Sequence, residues 1–89
     1  MVNAEEVKKC LDEWLENPYW AKMYNEAPSE MCKRYIALDF YYSDTENEAI
    51  AEMLDALETE LSKEDWEHLL KFSEGPERGK IMEKLSELE

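Results

Sequence analysis

The sequence is poor in the residues that build loops and reactive sites. It contains two glycines, three prolines and one histidine among 89 residues. Two glycines are too few for a glycine-rich loop that cradles phosphates, and a single histidine leaves few bases to activate a nucleophile. Scarce glycine and proline, with segments rich in acidic residues, alanine, leucine and lysine, favour helix over sheet. We therefore expect an all-α fold and a non-catalytic protein.

Long apolar runs are also missing. No stretch approaches 18 apolar residues, and the first residues lack a basic region followed by an apolar run, so we expect neither a membrane span nor a signal peptide. Cys10 and Cys32 lie on the apolar sides of predicted helices and are far apart in sequence. This placement indicates buried thiols in a reducing compartment, although it leaves one bridge between them open. We expect a cytoplasmic protein.

Positive charge is scarce. Ten basic residues stand against 23 acidic ones, for a net charge of −13, and no Lys or Arg occurs between Arg34 and Lys63. Phosphates and anionic lipids repel such a chain, which argues against direct binding to nucleic acid or to a membrane.

Large apolar side chains, in contrast, are plentiful. Three Trp, five Tyr and two Phe accompany many aliphatic residues, so a packed core needs no metal, cofactor or disulfide. Eight of the ten aromatic residues lie between Trp14 and Tyr42. This cluster is interpreted either as an ordinary core or as a stacking or peptide-binding groove. We expect one domain, residues 1–89, folded as a compact bundle of five to six short helices.

The central element is predicted at residues 31–42, MCKRYIALDFYY. In a helix, its apolar side chains would cover roughly 200° of the circumference, leaving Lys33, Arg34 and Ala37 outside. One neighbour cannot cover so wide a surface, so the other helices should pack around this one. Residues 35–42 also have a composition typical of strands, but helical segments on both sides leave a strand no partner.

Asp39 lies inside this apolar surface. A carboxylate there must be hydrogen-bonded, paired with a cation or protonated, because an isolated buried charge is very costly. Candidate partners are a tyrosine hydroxyl, His68, or a Lys or Arg from a facing helix. Alternatively, the helix ends near Asp39 and the carboxylate reaches water.

Capping signals and apolar periodicity predict five further helices. Asn17 is expected to cap the second helix and Ser29 the central one. Their expected ranges are 4–16, 18–26, 46–61, 62–73 and a short last helix after the Gly75-Pro76 pair. Three of them are expected to begin with a capping box, formed by Asn3 with Glu6, Thr45 with Glu48, and Ser62 with Asp65. Apolar side chains expected to point inward on the fourth and last helices include Met53, Ile81, Met82, Leu85 and Leu88.

The fourth predicted helix has an acidic side. Glu48, Glu52 and Asp55 follow one another at helical spacing, and no basic residue on this helix relieves their repulsion. We name these three residues the acidic ridge and predict that a partner binds there. The leading hypothesis is a protein–protein interaction module with a protein partner, which the charge suggests is basic. Spare aromatic residues leave a homodimer open.

The alternative hypothesis is an inhibitor that mimics nucleic acid. Carboxylates about 6 Å apart along a helix resemble the spacing of backbone phosphates and would fit the basic groove of a DNA- or RNA-binding protein. A remote third hypothesis is a metal site on one helical turn at Glu64, Asp65 and His68. Because a site needs three or four converging ligands, we expect no metal there and a solvated helix face instead.

Overall fold

Residues 3–88 form six helices joined by short turns. The computed structural model describes residues 3–88. The helices are α1 (Ala4–Trp14), α2 (Pro18–Asn25), α3 (Glu30–Thr45), α4 (Glu48–Glu58), α5 (Lys63–Lys71) and α6 (Pro76–Glu87). No strand occurs within residues 3–88, so the predicted all-α bundle is confirmed and the strand alternative for residues 35–42 is wrong. Over the same residues, no helix combines the length and the apolar character needed to cross a membrane.

Helix α3 lies at the centre of the bundle. It packs against α1, α2 and α4, and six of its side chains are buried: Cys32, Ile36, Ala37, Leu38, Phe40 and Tyr41. The prediction of a central helix is thus confirmed. Ala37 was expected outside the apolar surface, but it is buried because neighbouring helices cover α3 on several sides.

Four of the predicted helix starts are confirmed by side-chain caps. The side chains of Asn3, Asn17 and Ser29 each accept a hydrogen bond from a backbone N–H in the first turn of the following helix. Ser62 and Asp65 form the complete capping box at the start of α5. Such caps satisfy donors that have no partner within the helix, so local sequence alone locates these starts.

The turn between α3 and α4 differs from the prediction. Helix α3 continues through Thr45, whose hydroxyl donates to the backbone carbonyl of Tyr41 at 2.8 Å. Glu46 then ends α3 in the left-handed conformation, with φ at 51°. Asn47 caps α4, because its side-chain oxygen accepts from the Ala49 N–H at 2.8 Å. The expected capping box of Thr45 with Glu48 is therefore wrong.

Polar contacts join α1 to the second half of α3. The Tyr41 hydroxyl donates to the carboxylate of Glu6 at 3.0 Å, so Glu6 serves this contact and not the expected box with Asn3. Asp44 accepts hydrogen bonds from the Cys10 thiol and from the Trp14 indole N–H, each at 3.1 Å. Cys10 is a free thiol, and so is Cys32; both are buried.

Helix α6 is covered on one side only. It packs mainly against α5, and Ile81 is buried while Leu85 is half-buried. Met82 and Leu88 were expected to point inward, but they are 54% and 48% exposed, because α6 packs mainly against α5. Met53 on α4 was also expected inside and is exposed.

Candidate functional site

A cavity of about 460 Å³ lies between α2, α3, α5 and α6. Five aromatic side chains line it: Tyr19, Trp20, Tyr35, Trp66 and Phe72. Charged side chains also line it, namely Asp39, Glu58, Glu74, Glu77 and Lys80. This volume is within the range of sites that hold a small molecule or a partner's side chain. Apolar walls with few charged groups are also typical of such sites.

The aromatic walls are fixed by contacts between helices. The Tyr19 hydroxyl donates to the backbone carbonyl of Phe72 at 3.0 Å, and the two rings meet edge to face at 5.3 Å. On the opposite side, the rings of Tyr35 and Trp66 meet edge to face at 6.1 Å. These contacts join α2 to the end of α5 and α3 to α5. The positions of the aromatic walls are therefore set by contacts within the chain.

Asp39 contributes a carboxylate to the cavity from the middle of α3. The helix continues well past this residue, so the alternative that α3 ends near Asp39 is wrong. The side chain is half-buried, and no residue within 3–88 gives its carboxylate a hydrogen bond or an ion pair. His68 was a candidate partner, but its Nε2 donates to the backbone carbonyl of Met23 at 2.6 Å.

Burial and neighbouring charges disfavour ionisation in this cavity. The pKa of the Asp39 carboxyl is raised from 3.8 to about 6, mainly by burial; Glu77 and Glu58 contribute to this rise, and Lys80 opposes it. Burial also raises the pKa of the Tyr35 hydroxyl, with Glu58 and Asp39 adding to the effect. Both shifts arise mainly from burial, and neighbouring carboxylates add to them.

The charges around the cavity do not balance. Four carboxylates, those of Asp39, Glu58, Glu74 and Glu77, face one ammonium group, that of Lys80. Glu58 is also held by Lys84 on α6, with 3.8 Å between the charged atoms. The site therefore repels anions and attracts cations, and its aromatic walls favour a cation that carries an apolar body.

The acidic ridge lies on α4, whose last residue, Glu58, lines the cavity. Glu48, Glu52 and Asp55 are all exposed, and within residues 3–88 none of them forms an ion pair. Asp55 is three residues from Glu58, which lines the cavity, and it contributes to the raised pKa of Tyr35. Only the Asp55 end of the ridge is thus close enough to affect the cavity electrostatically, and none of the three ridge residues lines the cavity itself.

The three metal-ligand candidates on α5 do not converge, and the expected solvated face is wrong for Asp65 and His68, which are buried. Asp65 is buried and accepts hydrogen bonds from the Ser29 hydroxyl at 2.8 Å and from the Ser62 N–H at 2.9 Å. His68 binds the Met23 carbonyl, and Glu64 is exposed to solvent. Across residues 3–88, no three His, Cys, Asp or Glu side chains are grouped closely enough to hold a metal ion.

Sequence reasoning located one part of the cavity and missed the rest. Asp39 was identified because a carboxylate interrupts an apolar surface, but no site was predicted to include Trp66, Phe72, Glu77 or Lys80. No signal in the sequence brings α6 next to α3. The chain matches no protein-family model, no curated protein and no solved structure. Its function must therefore be argued from the chemistry of the cavity.

Proposed function

We propose that the protein is a non-catalytic module that binds another protein across the mouth of the cavity. The observation that carries this proposal is the half-buried Asp39 carboxylate, which no residue within 3–88 hydrogen-bonds or pairs, among aromatic walls. A carboxylate in such a place lowers the stability of the fold. A loss of folding stability of this kind is typical of functional sites.

The walls of the cavity have the composition of a binding hot spot. Trp and Tyr side chains contribute disproportionately to protein interfaces, because they bury much area with few rotatable bonds. Tyr19 is 43% exposed and Trp20 is partly buried, so both remain available to a partner. The net charge of −13 favours a basic partner and fast association at low salt.

The two free thiols bear on where this binding takes place. Cys10 and Cys32 are both reduced and buried. Free cysteines are typical of reducing compartments, which supports placing the protein in the cytoplasm.

The test is capture of a partner by the immobilised 89-residue protein and by charge-reversed variants. Glu74→Lys with Glu77→Lys changes the mouth of the cavity, and both positions are exposed, so the fold should tolerate the change. Asp12→Lys with Glu16→Lys is the matched control, because it alters the net charge equally at exposed positions on or just after α1.

A protein that binds this surface should no longer be captured by the variant with Glu74→Lys and Glu77→Lys, which we call the cavity pair. It should still be captured by the variant with Asp12→Lys and Glu16→Lys, which we call the control pair. Capture should also weaken as salt rises from 0.1 M to 1 M, where the screening length falls from about 10 Å to about 3 Å. Equal loss with both pairs would mean that only net charge matters, and the proposal would then be wrong.

A second candidate function is the mimicry of nucleic acid by the acidic ridge. It is favoured by the exposure of Glu48, Glu52 and Asp55 and by the absence of ion pairs to them within residues 3–88. A partner bound in this way should be released by duplex DNA and lost when all three residues become Gln. Retention of the partner by the triple variant, together with its loss by the cavity pair, would reject mimicry.

A further inference from the structure

The charge and the walls of the cavity together define the group that enters it. Resting on the proposed function, we propose that the cavity receives a basic side chain, lysine or arginine, from the partner protein. The cationic head lies beside the Asp39 carboxylate, and the apolar stem lies against the rings of Tyr35 and Trp66. Tyr35 and Asp39 are four residues apart on α3, so they lie on the same face about 6 Å apart.

Electrostatics excludes the other classes of occupant. An anion would meet four carboxylates and one ammonium group. A neutral apolar group would fit the aromatic walls but would leave Asp39 without a counter-ion inside a less solvated site, which is costly. A cation attached to a methylene chain satisfies both the walls and the carboxylate, because aromatic rings attract cations and a carboxylate accepts charge-assisted hydrogen bonds.

Lys80 is the intramolecular competitor for this position. Its ammonium group opposes the rise in the pKa of Asp39, so the positive charge of Lys80 acts on this carboxylate. The two groups nevertheless form no ion pair. Helix α6 carries Lys80 on an exposed turn next to Glu77. A partner's basic side chain would therefore take a position that Lys80 approaches without filling it.

Binding should depend on the protonation of Asp39. The charged or titratable groups around it are Tyr35 on α3, Glu58 on α4, Glu77 and Lys80 on α6, and Glu74 just before α6. From α2, the Tyr19 hydroxyl is occupied by the Phe72 carbonyl, and from α5, His68 donates to Met23. Affinity for a cation should rise with pH as Asp39 ionises, in a range around pH 6.

The experiment is an NMR titration of the intact 89-residue protein with three peptides. The probes are acetyl-Gly-Lys-Gly-amide, its arginine counterpart and a control in which uncharged norleucine replaces the basic residue. The indole N–H signals of Trp20 and Trp66 report on the cavity. The Trp14 indole, which donates to Asp44 outside the cavity, is the internal reference.

We expect at least one basic peptide to bind about tenfold more tightly than the norleucine peptide. It should shift Trp20 and Trp66 more than Trp14. Asp39→Asn should weaken binding about tenfold and remove its pH dependence, and Lys80→Gln should strengthen binding about threefold by removing a like charge. Glu83→Gln changes an exposed acid on α6 that does not line the cavity, so it should leave affinity unchanged.

Equal binding of the norleucine peptide would overturn the inference, and so would unchanged affinity in Asp39→Asn. Binding of hexylammonium with no binding of either basic peptide would also overturn it, because the site would then accept free amines and not a protein side chain. If the basic peptides bind as expected but no protein capture depends on the cavity pair, the proposed function fails separately. If Asp39→Asn is poorly folded, Glu77→Gln at an exposed position should weaken binding in the same direction.

Discussion

The substitution Asp39→Asn should stabilise the protein at neutral pH. The carboxyl has a pKa of about 6 in the folded chain and 3.8 ordinarily. The folded state therefore holds its proton more tightly than the unfolded state does. The stability from this group is complete below pH 3.8 and is lost as the pH rises through 6. Each pKa unit corresponds to about 1.4 kcal/mol, so the loss approaches about 3 kcal/mol.

Asparagine has nearly the same shape and no charge to bury. The free energies of unfolding of wild type and variant should agree within about 0.5 kcal/mol at pH 4. At pH 8 the variant should be more stable than wild type by about 2–3 kcal/mol. We expect the lower figure, because the half-buried Asp39 carboxylate keeps contact with water. The pH dependence of the difference between the two proteins therefore reports on Asp39 together with the charges coupled to it, those of Glu77, Lys80 and Glu58.

The assay is urea denaturation followed by circular dichroism at intervals from pH 4 to pH 8. Glu83→Gln, which removes an exposed charge, is the control, and its difference from wild type should stay flat across this range. A variant that is less stable than wild type at pH 8 would refute the reasoning, because Asp39 would then be making a favourable contact. A difference that does not change with pH would refute it as well.

Two further predictions concern the glycines and the cysteines. Gly75→Ala should destabilise the protein by about 1–2 kcal/mol, because Gly75 has a φ of +61°. Gly79→Ala should instead stabilise the exposed helix α6 by about 1 kcal/mol. Thermal unfolding measures both changes, and effects of the same sign would contradict the different roles given to the two glycines. Burial raises the pKa of both Cys10 and Cys32 to about 12, so Ellman's reagent at pH 8 should modify neither thiol until the protein is unfolded, and rapid modification of the folded protein would show that a thiol is accessible.

The sequence was sufficient to predict most of the helices, because their signals are local. Apolar spacing and the caps at Asn3, Asn17, Ser29 and Ser62 act within one or two turns, and each of these starts is where the pattern indicates. The start of α4 was wrong because two neighbouring cap candidates compete. Thr45 instead hydrogen-bonds within α3, and Asn47 becomes the cap.

Burial on α6 could not be predicted from periodicity. Met82 and Leu88 follow the same spacing as Ile81, yet only Ile81 is buried. An apolar spacing shows which side of a helix prefers a neighbour, but it does not show whether a neighbour covers the whole of that side. Helix α6 packs mainly against α5, so part of its apolar side stays exposed.

What the sequence alone determined is the all-α fold, the central helix and the anomaly of Asp39, since each follows from contacts within a few residues. Only the tertiary structure decided what surrounds that carboxylate. Trp66 and Phe72 from the fifth helix segment and Glu77 from α6 reach it through the packing of distant segments. Packing depends on how six helical surfaces fit together at once, which local spacing does not encode. The negative aromatic cavity is therefore a property of the assembled bundle and of no single segment.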